Sequence, residues 1–347
     1  MKSTHRFNRR KNDNVKHNIN IIKRIVSGRR YNISKKKTAA IICISLLVFV
    51  ALFITLNEKI FNIPGIPTWR KIYEITGLAQ SSAVVNSNVA VHFVDVGQGD
   101  CQLVVADGYN VLIDCGEKEY YAVVIDYIKA QGIERLDYVI TTHPHSDHMG
   151  GMSYILDEFE IGKVIMPKLP EKLVPETSTY VRMMEIIDKH DIPTEYAKSG
   201  TSYRLGDCVL DILAPVSKYE DLNNYSVTAK FTHGQNSFLF TGDIEEQAER
   251  DILSEGCDVS ATVLKVAHHG SDSSSIKKFL IAADAQYAVI GVGSPNTHGH
   301  PTDTVINRLE TLGYEIYRTD YDGNIIFASD GITLEIITEN SQAEIAA

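Results

Sequence analysis

His143-Pro144-His145-Ser146-Asp147-His148 puts three imidazoles and a carboxylate within six residues, directly behind the apolar run LDYVIT at 136–141. Zinc takes imidazole and carboxylate ligands at roughly 2.0–2.2 Å. A hydrolytic pair of metals, about 3.5–4 Å apart, needs such ligands from two sides and one shared bridge. A tight loop after a strand lets His143 and His145 turn to one metal while Asp147 and His148 turn to another. The bridge must come from elsewhere, and Thr241-Gly242-Asp243 ends the apolar run SFLF, so Asp243 sits at a strand tip. Taken alone, that aspartate would read as a turn residue or a helix N-cap. The strand pattern ATVLKVA at 261–267 delivers His268-His269-Gly270-Ser271 to another tip, offering a ligand and a neighbour.

The elements that must position these groups alternate between two periodicities. VAVHFVDV (89–96), CQLVVA (101–106), NVLIDC (110–115), LDYVIT and KVIMP (163–167) read as strands, with helical patterns at 119–131 and 150–158. Residues 168–202 are more polar, with one helix expected at 178–190. CVLDIL, SVTAKF and SFLFT follow as strands, and His233-Gly-Gln-Asn turns between the last two. Then come helix 244–255, strand 261–267, helix 274–283, strand 285–292, helix 302–313 and the strands EIYRT, NIIFA and TLEII. Strand meanders interleaved with helices suggest two packed sheets with helices outside, a pattern shared by other α/β layer folds.

The net charge of −10 is unevenly spread. Residues 1–37 hold 13 Lys/Arg against Asp13 alone, or +12, and the remaining 21 basic and 43 acidic residues give −22. TAAIICISLLVFVALFITL at 38–56 is 19 uncharged residues, about the ~20 that span a hydrocarbon core. No small-residue cleavage pattern follows it. The expectation is a basic cytoplasmic tail (1–37), a transmembrane helix (38–56), a stalk (57–87) rich in Pro, Gly and small polar residues, and a folded domain (88–340) outside the membrane. Five cysteines do not make a disulfide scaffold. A hairpin centred on Asp107-Gly108 would bring Cys101 and Cys115 close enough for one disulfide.

Several ordered segments together are more specific than any one: HFVDVGQGD (92–100), LIDCG (112–116), THPHSDHMGG (142–151), Asn224 with Ser226, LFTGD (239–243), LKVAHHGS (264–271), Asn296 with GHP (299–301), and RTDYDG (318–323). Over about 89–338 the chain resembles the metallo-β-lactamase superfamily. More narrowly, it resembles the soluble hydrolase domain of ComEC-type DNA-uptake proteins and single-domain relatives such as phosphorylcholine esterase. The resemblance implies an α/β (α+β) fold, a four-layer αββα sandwich with two metals at the strand ends. It assigns His143 and His145 to one metal, Asp147 and His148 to the other, Asp243 to both, and one of His268 and His269 as the remaining ligand. His269 fits that place better, leaving His268 beside it and in reach of substrate. The superfamily pattern has a further histidine between the first motif and the bridge. Here only His190 and His233 fall there, in settings that read as surface.

The resemblance implies hydrolysis by water whose pKa two Zn²⁺ ions, or Mn²⁺, lower from ~15.7 toward ~7. Asp147 or Asp243 would orient that water. His300, Asn296, Asn224 and Ser226 could contact phosphoryl oxygens. Gly97 and Gly99 would allow a tight backbone beside the site, and Asp100 and Asp114 would hydrogen-bond to ligands rather than to metal. A phosphodiester, DNA included, is the expected substrate, with a membrane channel or envelope protein as a partner. The −22 charge opposes tight nonspecific DNA binding. It leaves room for a phosphorylcholine-type esterase or lactonase, and for a membrane-anchored binding module with a vestigial site.

Overall fold

The computed structural model describes residues 44–45, 48–55, 87–294 and 296–340. Two compact units emerge, 1–80 and 81–347. In the first, 44–45 and 48–55 are helical, and Ile44, Val48, Phe49 and Leu52 are exposed. The tail 1–37, the ends of the expected span and the stalk up to 86 lie outside the described residues. Among the described residues no helix is long and apolar enough to cross a membrane.

The second unit contains β1 (Val89–Phe93), β2 (Gln102–Ala106), β3 (Tyr109–Ile113), α1 (Tyr121–Ala130), β4 (Arg135–Ile140), α2 (Ser146–Met149), α3 (Met152–Glu158), β5 (Glu160–Met166), α4 (Ser178–Lys189), β6 (Thr194–Tyr196), β7 (Ser202–Leu205), β8 (Cys208–Ala214), β9 (Thr228–His233) and β10 (Asn236–Phe240). It continues with α5 (Glu246–Ser254), β11 (Val263–Lys265), α6 (Lys277–Ala283), β12 (Tyr287–Ile290), α7 (Asp303–Thr311), β13 (Glu315–Arg318), α8 (Thr319–Asp322), β14 (Ile325–Ser329) and β15 (Leu334–Thr338). One sheet runs β15-β14-β1-β2-β3-β4-β5-β6 and the other β13-β12-β11-β10-β9-β8-β7.

Period-two alternation explains the layering. In β3, Val111 and Ile113 point into a core shared with Phe238 and Phe240 of β10, while Leu112 turns outward to Val124 and Ile128 of α1 and Ile155 of α3. In β10, Leu239 turns the other way, toward Ile252 of α5 and Leu280 of α6. Three apolar clusters therefore fill three interfaces, giving the four αββα layers. The expected strands and helices are present, most of them a residue or two shorter at an end.

Two strands in or at the end of the polar stretch, β6 and β7, are 3 and 4 residues long, too short for a periodicity to be read in advance. Asp107-Gly108 does form a two-residue turn, with both φ angles positive at 50° and 89°. Its register pairs Gln102 with Ile113, so Cys101 lies opposite Asp114, one residue away from Cys115. The suggested disulfide is thus out of register. Both thiols are free and buried, and burial raises their pKa values well above the ordinary range.

Glu249 ties the outer helices together. Fully buried on α5, it accepts hydrogen bonds from the Ser275 N–H (2.6 Å) and the Ile276 N–H (2.9 Å) just before α6. Burial pushes its pKa from 4.5 to about 7, against the pull of those donors. A raised carboxyl pKa makes folding less favourable as pH climbs from 4.5 to 7, with no further change from this group outside that window. At 1.36 kcal/mol per unit the full effect is about 3 kcal/mol. Glu249→Gln should flatten the fall in melting temperature between pH 5 and 7. The slope is the readout, because Gln gives up one accepted hydrogen bond and lowers the absolute value. An unchanged slope would refute the assignment.

Candidate metal centre

Strands β3 and β4 are parallel neighbours, as are β10, β11 and β12. Their C-terminal ends release Asp114, the His143–His148 loop, Asp243, the His268-His269 pair and Gly291. Asp243 Oδ2 is the hub. It lies 3.2 Å from His148 Nε2, 3.5 Å from His269 Nε2 and 3.9 Å from both His143 Nε2 and His268 Nε2. His145 Nδ1 is 3.0 Å from His143 Nε2, and Asp147 Oδ2 is 3.2 Å from His269 Nε2.

Ligand atoms of Asp147, His148, Asp243 and His269 all fall within 4.8 Å of one another. The donor set fits a divalent metal, and the test is internal to the site. His148 Nε2 and Asp243 Oδ1 are buried and make no hydrogen bond, which is costly without a further partner. Asp100, Asp114 and His148 form a second close group. It is a supporting layer, since Lys265 pairs with Asp100, and Asp114 accepts from Thr142 Oγ1 (2.6 Å) and the Thr142 N–H (2.8 Å).

The outward-facing imidazole nitrogens are anchored. His148 Nδ1 is 2.8 Å from Asp114 Oδ2, and His269 Nδ1 is 2.8 Å from the Gly291 carbonyl. His143 Nδ1 meets Ser226 Oγ and Thr142 Oγ1, each at 3.2 Å. Such partners fix the tautomer and aim the other nitrogen inward. Gly99 sits at φ 144°, and a Cβ there would lie 2.3 Å from the Asp147 carbonyl, so the backbone can press against the ligand loop only with glycine.

Charge is sharply divided. Burial opposes a proton on His148, but Asp243, Asp114 and Asp147 outweigh it and raise its pKa well above 6.5. His269 is raised likewise against burial, by Asp243 and Asp100. Burial, reinforced by His148, lowers His143, and burial also lowers His145. Asp147 and Asp243 stay anionic despite burial because His148 and His269 face them.

Three expected substrate groups are committed elsewhere. The Asn224 carbonyl accepts from the Glu245 N–H (3.0 Å) and the Ala248 N–H (3.2 Å), and its amide donates to Asp221. Ser226 Oγ is fully buried between His143 and the Asp243 N–H. Asn296 uses both ends of its amide to close its own loop, through the carbonyls of Gly293 and His300 and the N–H groups of Gly299 and His300. These three hold the scaffold. His300 differs: its Nδ1 is buried without a partner, and its ring lies 5.6 Å from that of His268. The two interval histidines are elsewhere. His190 Nε2 meets Asp157 at 2.6 Å, and His233 Nδ1 meets Ser329 Oγ at 2.8 Å. Sequence reasoning missed Thr142, Glu245, Lys265 and Ser273 as supports. A lysine inside the buried run ATVLKVA was the available signal for one of them.

The family model for the metallo-β-lactamase superfamily matches residues 94–293. ComE operon protein 3 of Bacillus subtilis is 28% identical over 260 residues, covering 70% of this chain and 33% of that protein. Competence protein ComA of Neisseria gonorrhoeae is 28% identical over 250 residues, with 71% and 33% covered. The chain thus spans about a third of the length of these relatives. Among solved structures, CmlA, a diiron β-hydroxylase from Streptomyces venezuelae, matches at 14% identity over 71% of this chain and 55% of its own, with a TM-score of 0.49. With its ligand loops at the strand ends of an αββα sandwich and a family match over more than half its length, the chain belongs to the metallo-β-lactamase superfamily.

Proposed function

We propose that this protein is a metal-dependent phosphodiester hydrolase acting on DNA or on a cell-envelope phosphodiester, held at the membrane by 38–56 with its catalytic domain outside. The observation that carries it is Asp243 Oδ2, placed within 3.9 Å of four imidazole nitrogens. Bound Zn²⁺, or Mn²⁺ in its place, would bring the pKa of water from ~15.7 toward ~7 and offset charge on phosphoryl oxygens. His143, His148, His269 and Asp243 form the closed back of the site. Asp147 and His268, each about a quarter exposed, form its open side with His300. Substrate enters there, where Asp147 orients the attacking water and the free edge of His300 contacts a phosphoryl oxygen or the leaving group. The relatives named for competence favour a nucleic acid, and a channel or envelope protein is the partner this reading calls for.

The −22 charge outside the tail favours a second reading, an esterase or lactonase on a small envelope substrate. The purified full-length chain should be assayed with Zn²⁺ or Mn²⁺ on a bis-aryl phosphodiester, single- and double-stranded DNA, a phosphorylcholine ester and a lactone. Turnover of the diester and of DNA is expected. Turnover of the lactone alone selects a hydrolase of another bond, turnover of the phosphorylcholine ester without DNA selects a small envelope substrate over nucleic acid, and no turnover of any substrate overturns both readings.

A further inference from the structure

His268 and His269 are adjacent, and both are left-handed, at φ 51°, ψ 45° and φ 53°, ψ 21°. For a non-glycine residue that conformation costs about 1–2 kcal/mol, so two in a row require a return. What the turn achieves is divergence, with ring centroids 6.3 Å apart and planes at 70°. His269 turns into the group with Asp147 and His148. His268 turns away from it, yet keeps Nε2 3.9 Å from the shared Asp243 oxygen, the same separation as His143 Nε2.

His268 also copies the arrangement of the recognised ligands. Its Nδ1 is 3.4 Å from Glu245 Oε1 and 3.3 Å from Ser273 Oγ. Glu245 is itself fixed by Asn223 Nδ2 and Ser273 Oγ, each at 3.2 Å. His143, His148, His269 and His268 therefore share one pattern, an anchored Nδ1 and an Nε2 facing Asp243. A substrate-binding histidine needs no such alignment with a bridging carboxylate. Neither interval histidine reaches the site, so the His143–His145 position is short of an imidazole.

We propose that His268 supplies it: the pair serves one metal each, His269 with Asp147 and His148, His268 with His143 and His145, and Glu245 is the positioning residue that holds His268. This rests on the metal-hydrolase reading and replaces the expectation that His268 only neighbours the site. It makes the centre's second imidazole pair a product of one strained turn rather than of a separate loop.

Zinc stoichiometry and stepwise dissociation constants of the full-length chain would test it, with Co²⁺ absorption as an independent readout. Asparagine tolerates the left-handed region better than most residues, so His268→Asn removes the imidazole while sparing the turn. The wild type should hold two ions and His268→Asn one, with the remaining dissociation constant unchanged. Glu245→Gln should keep both ions and weaken one by about 10–100-fold. Two ions in His268→Asn with wild-type constants would overturn this proposal and leave the hydrolase reading standing. A wild type with one ion would also overturn it, and a wild type that binds none would overturn both.

Discussion

Asp243→Ala should lose metal and hydrolysis together, with activity down by more than ~100-fold, since removing even a partner that only orients a ligand costs about 10–100-fold. Asp243 does more than orient. One of its oxygens is shared among four imidazoles, and the other is buried with no hydrogen bond. No neighbouring carboxylate can substitute. Asp147 reaches His148 and His269, but no ion pair joins it to His143 or His268. Asp100 and Asp114 are held by Lys265 and Thr142. Asp243→Asn keeps shape and volume while removing the charge, and should fail almost as completely. Metal content by mass spectrometry beside diester turnover would decide it. A variant that retains both ions and more than a tenth of the activity would refute the bridging role.

How much of this was legible in the sequence depended on whether the information was local. The H-x-H-x-D-H loop, the Asp243 strand tip and the Asp107-Gly108 turn are short-range patterns, and the structure places each at the predicted strand end or turn. What failed needed the third dimension. Asn224, Ser226 and Asn296 were read as substrate donors because they stand among motif residues. Their hydrogen-bonding capacity is spent on α5, on His143 with Asp243, and on a loop. Only partners distant in sequence, such as Ser226 and His143 at 83 residues, could reveal that. The cysteine pair failed by one residue of register: β3 ends at Ile113, and Asp114, with φ 56°, takes the place opposite Cys101, although both thiols lie in the same outer cluster. Strands β6 and β7 failed because they are only 3 and 4 residues long, so even the exposed–buried alternation of SYRL in β7 covers a single repeat and does not stand out from a polar loop.

Lys265 is where a sequence anomaly and a structural one coincide. It interrupts an apolar strand, is 1% exposed, and pairs with Asp100, equally buried, while donating to the Gly242 carbonyl at 3.3 Å. Burial opposes ionisation of Asp100, yet Lys265, then His269 and His148, hold its pKa below the ordinary value. Asp100→Asn would leave a buried ammonium without its counter-charge, a loss of about 3–5 kcal/mol. Against a typical total of about 5–15 kcal/mol, that is enough to lower the urea midpoint strongly with little change in slope. Replacing both partners removes the isolated charge, so Asp100→Asn with Lys265→Met should recover most of the stability. It should not recover full metal affinity, because the Asp100 carboxylate also lies 3.5 Å from His269 Nδ1, and its charge favours the orientation in which that nitrogen donates to the Gly291 carbonyl. Urea denaturation of the two single variants and the double variant, each with metal titration, separates the two roles. If Asp100→Asn alone were as stable as wild type, the pair would be no more than a neighbour of the site. If the double variant bound metal normally, Asp100 would have no part in holding His269.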